Sequence, residues 1–211
     1  MKNKIKIIPA VIAKSQKELD EQINKVKDFV ELIQIDIMDG KFVPNSSIDF
    51  DFTIPSSNCK FEAHLMITNP LEWIENHWET VDTILVHFEA TDDPYEIIEL
   101  ARKNNKRVGF VLNPETPVEK IKKYLDEIDE ILIMTVTPGF YGSKFLPEAL
   151  QKVEDLRNLK PDLDIEVDGG ITDETIKQAY LAGANMFVSG SFIVKSENVK
   201  KAIDALKDQV N

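Results

Sequence analysis

At 211 residues the chain can bury a core without disulfide or metal staples, and a single domain spanning residues 1–211 is the expectation. Its 43% hydrophobic and 29% charged residues are ordinary for a globular protein, and one cysteine, Cys59, excludes an intrachain disulfide or a multi-cysteine metal site. A net charge of −12 argues against a nucleic-acid partner, although a small anion can still be held by local backbone amides.

The first residues, Met1 to Pro9, hold a short apolar run interrupted by lysines and a proline, without the apolar stretch of a signal peptide. No later segment is an uninterrupted bilayer-length apolar span, so no membrane partner and a cytoplasmic location are expected. Short β-branched runs then recur at Ile5–Ile8, Leu32–Ile37, Phe61–Met66, Thr83–His87, Val108–Leu112, Ile131–Met134, Ile165–Val167 and Met186–Val188. They predict eight strands, spaced by about the length of a strand plus a returning helix.

Between them lie helical patterns. Ser15-Gln-Lys-Glu18 reads as a capping box ahead of Leu19, Ile23, Val26 and Val30. Ile98 with Leu100-Ala101, then 118–125, 150–159, 176–182 and 199–206, supply further apolar stripes. The stretch after Asn45 predicts a loop with a short helix.

Eight strand–helix units without a linker fit a doubly wound sheet or a closed barrel. The polar residues favour the barrel: Asp36, His64, Asn113, Thr135, Asp168 and Ser189 all stand at or just past the C-terminal end of a predicted strand. A (β/α)₈ TIM barrel builds its site from several strands at that rim. Strand alternation turns Ile33, Ile35 and Ile37 toward the helices and Gln34, Asp36 and Met38 toward the axis. The same parity turns Glu62, His64 and Met66 inward, and Glu166 and Asp168 with them.

Two carboxylates and an imidazole converging on one cavity suit two chemistries. Asp36, His64 and Asp168 can share a divalent cation, with Gln34 adding an amide oxygen, and the ion would polarise a carbonyl and stabilise an enediolate. The same aspartates can act as base and conjugate acid on opposite faces of a carbon beside that carbonyl, as inversion by proton transfer requires. Glycines gather after the last three strands, in Pro138-Gly139-Phe140-Tyr141-Gly142, Asp168-Gly169-Gly170 and Ser189-Gly190-Ser191. Barrel enzymes commonly bind a substrate phosphate there. His87, Trp73 and Trp78 read as packing residues, Cys59 likewise, and the basic cluster from Lys103 to Arg107 as a solvated helix end.

Several segments then become familiar. Gln34-Ile-Asp-Ile-Met-Asp-Gly-Lys-Phe-Val-Pro-Asn45, Ala63-His-Leu-Met66, Leu112-Asn-Pro-Glu-Thr-Pro117, Ile133-Met-Thr-Val-Thr-Pro-Gly-Phe140, Glu166-Val-Asp-Gly-Gly-Ile171 and Ala182-Gly-Ala-Asn-Met186 through Ser189-Gly-Ser191 run in one order. Together they resemble the ribulose-phosphate 3-epimerase family from Ile8 to Ser191. The resemblance implies an isomerase that interconverts D-ribulose 5-phosphate and D-xylulose 5-phosphate, with a small sugar phosphate as partner and a homo-oligomer as the assembly. It implies Asp36 and Asp168 as the acid–base pair and as metal ligands, and His64 as a further ligand. Met38, Met66 and Met134 match methionines around the reacting carbons. Gly139, Gly142, Gly169, Gly170, Gly190 and Ser191 match or adjoin substrate- and phosphate-binding positions.

Three positions depart from the family. Gln34 replaces its first metal-binding histidine, which leaves zinc, iron, manganese and magnesium all open as the one divalent ion. Ala10 replaces a serine, and Tyr141-Gly142-Ser143 stands where the family has Gly-Gly-Gln. Alternatives are epimerisation of a hexulose such as allulose 6-phosphate and a barrel that binds a sugar phosphate without turning it over. A decarboxylase of the related phosphate-binding barrels fits poorly, because Met38 occupies the position of its lysine.

Overall fold

The computed structural model of the chain describes residues 3–48, 50–139 and 143–210. Eight parallel strands form its barrel: β1 (Lys6–Val11), β2 (Leu32–Asp39), β3 (Lys60–Met66), β4 (Thr83–His87), β5 (Arg107–Leu112), β6 (Glu130–Met134), β7 (Asp164–Asp168) and β8 (Met186–Ser189). Each pairs with its neighbours in chain order, and β1 closes the ring by pairing with β8 on one side and β2 on the other. The closed (β/α)₈ architecture expected from the sequence is therefore present.

The first strand runs further than the apolar run that announced it, straight through Pro9. Pairing with β8 ends at Pro9 opposite Ser189, and pairing with β2 begins at Ala10 opposite Gln34. A missing N–H costs least at such a change of partner.

Helices α1 (Gln16–Val26), α2 (Pro70–His77), α3 (Pro94–Lys103), α4 (Leu150–Leu159), α5 (Ile176–Ala182), α6 (Ser191–Val194) and α7 (Val199–Asp208) follow six of the strands, and among the described residues none follows β2 or β5. Local chemistry starts several of them. Ser15 accepts from the Glu18 amide at 3.3 Å, while the Glu18 carboxylate reaches back to the Lys14 amide at 2.9 Å, one residue before the usual partner. Asp93 caps α3, with Pro94 at its first position, and Asn198 caps α7.

Residues 118–125 form two 3₁₀ turns, Val118–Lys120 and Lys122–Tyr124, rather than the α-helix their apolar stripe suggested. The buried residues explain this: Val118, Ile121 and Tyr124 recur at intervals of three, which is the 3₁₀ period. The stretch after Asn45 holds no helix among its described residues. Ser46–Ser47 instead folds back antiparallel on Met38 and Asp39, and the Ser47 hydroxyl donates to the Asp36 carbonyl.

The core has two compartments. Ile33, Ile35, Ile37, Ala63 and Leu65 are buried between strands and helices, each large one contributing about 1.5–3 kcal/mol. Trp73 and Trp78 pack partly buried against this layer, and the Cys59 thiol donates to the Lys27 and Val30 carbonyls. Inside the barrel the order from the mouth downward is methionine, then Asp36 and His64, then Gln34 and Glu62, as the register Met38–Met66, Asp36–His64 and Gln34–Glu62 requires. No helix among the described residues is long and apolar enough to cross a membrane.

Candidate active site

A cavity of about 330 Å³ opens at the C-terminal ends of the strands. Asp36, His64 and Asp168 form its polar floor, and Met38, Met66 and Met134 its apolar wall. Gly139, Gly169, Gly170, Gly190 and Ser191 line it from the loops after β6, β7 and β8. Gly142, the remaining glycine singled out in the sequence, lies outside the described residues. Gln34 is fully buried beneath the floor, on the same face of β2 as Asp36.

The floor is a tight polar cluster. His64 Nδ1 stands 3.3 Å from Asp36 Oδ1 and 3.3 Å from Asp168 Oδ2. Gln34 Nε2 donates to the same two oxygens, at 2.9 and 2.8 Å. Burial raises the Asp36 pKa from the ordinary aspartate value against the pull of His64, and the charge of Asp168 raises it further. Burial works to lower His64, but hydrogen bonds to the two carboxylates outweigh it and hold the imidazole at about 9.

Asp36, His64 and Asp168 each offer one ligand atom, all within 4.8 Å of one another. Two carboxylates and an imidazole suit a first-row divalent ion, so these three residues fit a metal. Gln34 differs: it turns its N–H groups toward the cluster, while its Oε1 is buried without a hydrogen-bond partner.

The other polar rim residues brace the site. Thr135 Oγ1 donates to the Asp168 carbonyl at 3.0 Å and the Gly169 carbonyl at 2.6 Å. Ser189 Oγ donates to the Ile171 carbonyl, and the Asn113 backbone joins Glu89 and Lys152. Their strand-end positions made them look like cavity residues. Backbone carbonyls claim the hydroxyls of Thr135 and Ser189 instead, while Asn113 Oδ1 is buried without a hydrogen-bond partner.

His87 belongs to the cluster more closely than a packing reading allowed. Its Nε2 lies 2.9 Å from His64 Nε2, and its Nδ1 is 3.5 Å from Glu89 Oε2. Burial, with the charge of His64, lowers His87 to about 4, so neutral His87 accepts from His64. Burial opposes ionisation of Glu89, but His87, Thr116 and the Asn113 amide outweigh it and hold Glu89 at about 2. The signal was the His-x-Glu pattern ending β4, whose meaning depends on the ring lying one strand from His64.

The Ribulose-phosphate 3 epimerase family profile matches residues 6–194. The chain is 36% identical to ribulose-phosphate 3-epimerase of Bacillus subtilis, covering 96% of this chain and 98% of that protein. It is 34% identical to the enzyme of the same name from Eremothecium gossypii, covering 97% and 92%. Among solved structures, a 3-hexulose-6-phosphate synthase aligns over 98% of this chain and 100% of its own, with TM-score 0.66 and 18% identity. KGPDC from Streptococcus mutans aligns over 99% and 98%, with TM-score 0.69 and 16% identity. At those identities the two structures bear on the fold alone.

Proposed function

The chain belongs to the ribulose-phosphate 3-epimerase family, and from that premise we propose that it interconverts D-ribulose 5-phosphate and D-xylulose 5-phosphate by proton transfer between Asp36 and Asp168. The observation that carries this reading is the delivery of two carboxyl groups, from β2 and β7, to one small cavity. Inversion at the carbon beside a ketone needs a base on one face and an acid on the other. One aspartate takes the C3 proton, leaving an enediolate, and the other returns a proton from the opposite side. The elevated Asp36 suits the proton-carrying member, and turnover in reverse exchanges the roles.

Supporting groups surround the pair. Met38, Met66 and Met134 provide a polarisable lining that excludes water from the reacting carbons. The glycine-bearing loops at Gly139, Gly169–Gly170 and Gly190–Ser191 line the same cavity and provide backbone for the substrate phosphate. Asp36, His64 and Asp168 are the residues that would hold a divalent ion. When bound, that ion supplies positive charge that polarises the ketose carbonyl.

The test is a coupled assay of chelator-treated protein titrated with Zn²⁺, Fe²⁺, Mn²⁺ and Mg²⁺, with allulose 6-phosphate run beside ribulose 5-phosphate. Metal-dependent turnover that favours the pentulose is expected. Faster turnover of the six-carbon sugar would reassign the substrate, and silence with both sugars and every ion would sink the epimerase proposal.

A further inference from the structure

Gln34 stands within reach of all three residues of the candidate metal set. Its Nε2 donates to Asp36 Oδ1 at 2.9 Å and Asp168 Oδ2 at 2.8 Å, and lies 3.3 Å from His64 Nδ1. Three such distances put the nitrogen amid ligand atoms that are themselves within 4.8 Å of one another. A divalent ion bonded to those atoms at roughly 2.0–2.4 Å would claim the same ground. An amide nitrogen has no lone pair to offer such an ion. The atom that could coordinate it, Oε1, is buried and has no hydrogen-bond partner.

Turning the amide over is not a free remedy. It would replace two hydrogen bonds to carboxylates by two oxygen–oxygen repulsions, against a single hydrogen bond gained from His64 Nδ1. It would also move the N–H groups to where Oε1 now has no polar partner. Both losses fall in a fully buried side chain, where unpaired polar groups cost most.

We propose that Gln34 is a built-in competitor of the metal: its N–H groups bridge Asp36 and Asp168 in place of a cation, and metal entry must displace them. The proposal rests on the reading of Asp36, His64 and Asp168 as the metal-binding set. A neutral amide adds no charge of its own to the pair, so a cation entering the site has two hydrogen bonds to break and no second cation from Gln34 to expel. The consequence is an ion that exchanges with solution rather than one locked in at folding.

The decisive experiment is Mn²⁺ binding to the chelator-treated full-length protein, read by loss of the free-ion electron paramagnetic resonance signal. A competitor predicts that Gln34→Ala binds Mn²⁺ roughly tenfold tighter or more, although it has no side chain to coordinate the ion. Equal or weaker binding by Gln34→Ala would make Gln34 a bystander or a ligand and overturn the proposal. Gln34→His, which removes the bridge and adds a ligand, should be tighter still. Failure of the metal-site reading itself looks different: Mn²⁺ binding in wild type and Gln34→Ala would be absent or indifferent to His64→Ala, and both ideas would fall together. A measurement on the unaltered protein guards against a misfolded variant. The Gln34 side-chain amide should resist hydrogen exchange in metal-free ¹⁵N-labelled protein and lose that protection on saturation with Zn²⁺. Unchanged protection at saturation would overturn the proposal.

Discussion

Gly169 follows Asp168 directly and sets how the β7 end enters the cavity loop. Its φ of +117° lies in the region that favours glycine, and a Cβ there would meet Val136 Cγ2 at 2.3 Å. Gly169→Ala should therefore cost about 2–4 kcal/mol from strain and overpacking combined, measured by urea unfolding. Val136→Ala in the same chain should recover part of that loss, and additive losses would place the strain elsewhere. At this scale the sequence was most informative where residue type and strand parity agreed: Asp36, His64 and Asp168 meet as their alternation required. It misled where a polar residue at a strand end satisfied backbone, as Thr135 and Ser189 do. Hydroxyls lend themselves to both uses, and only the loop path decides between them.

Among the elements, β6 and β7 carry the weight of positioning. The Thr135 amide and hydroxyl both bind the Asp168 carbonyl, and the hydroxyl also holds the Gly169 carbonyl. Thr135→Val keeps the shape and the backbone bond but deletes the hydroxyl. It should lower stability by about 1–2 kcal/mol and reduce kcat more than it raises KM, because Asp168 loses its brace while the cavity wall remains. A change confined to KM would show that Thr135 serves substrate binding instead. Strands and most helices were legible because their apolar periods are unambiguous; α4 and α5 begin and end where their stripes do. The 3₁₀ turns at 118–124 and the Ser46–Ser47 return were not. In the first, Leu125 beside Tyr124 imitates an α period. In the second, a two-residue strand is held by pairing with Met38 and Asp39, which short polar residues do not announce.

For the molecule as a whole, the barrel interior stacks two acidic layers. Beneath the aspartates, Glu62, Glu130 and Glu166 bring ligand-type oxygens within 4.8 Å of one another, all buried, with Arg107 reaching Glu130 at 2.8 Å. Burial raises all three; the charge of Glu130 adds to the rise of Glu62, that of Glu62 to the rise of Glu166, and Arg107 opposes the rise of Glu130. A folded-state pKa above the unfolded value means that the folded state holds its proton more firmly. The resulting stability is full below the ordinary glutamate value of 4.5 and is lost as pH climbs through the raised folded values. The denaturation midpoint should fall from mildly acidic toward alkaline pH, and Glu62→Gln, always neutral, should flatten that fall. An unchanged slope in Glu62→Gln would show that this layer does not set the pH response. Glu89, held at about 2, acts in the opposite sense: its contribution is present above the ordinary carboxylate range and lost as pH drops toward 2.

The two-aspartate claim is tested most directly by following C3 of the sugar by NMR in deuterated water, with wild type, Asp36→Asn and Asp168→Asn. Wild type should interconvert the two pentulose phosphates and deliver solvent deuterium to C3 of the product. Each single variant should stay folded and lose interconversion by at least about a hundredfold. Any residual exchange should occur without inversion, one variant washing deuterium into ribulose 5-phosphate and the other into xylulose 5-phosphate. Interconversion at near wild-type rate in either variant would contradict the account, because a single aspartate would then be serving both faces of the carbon.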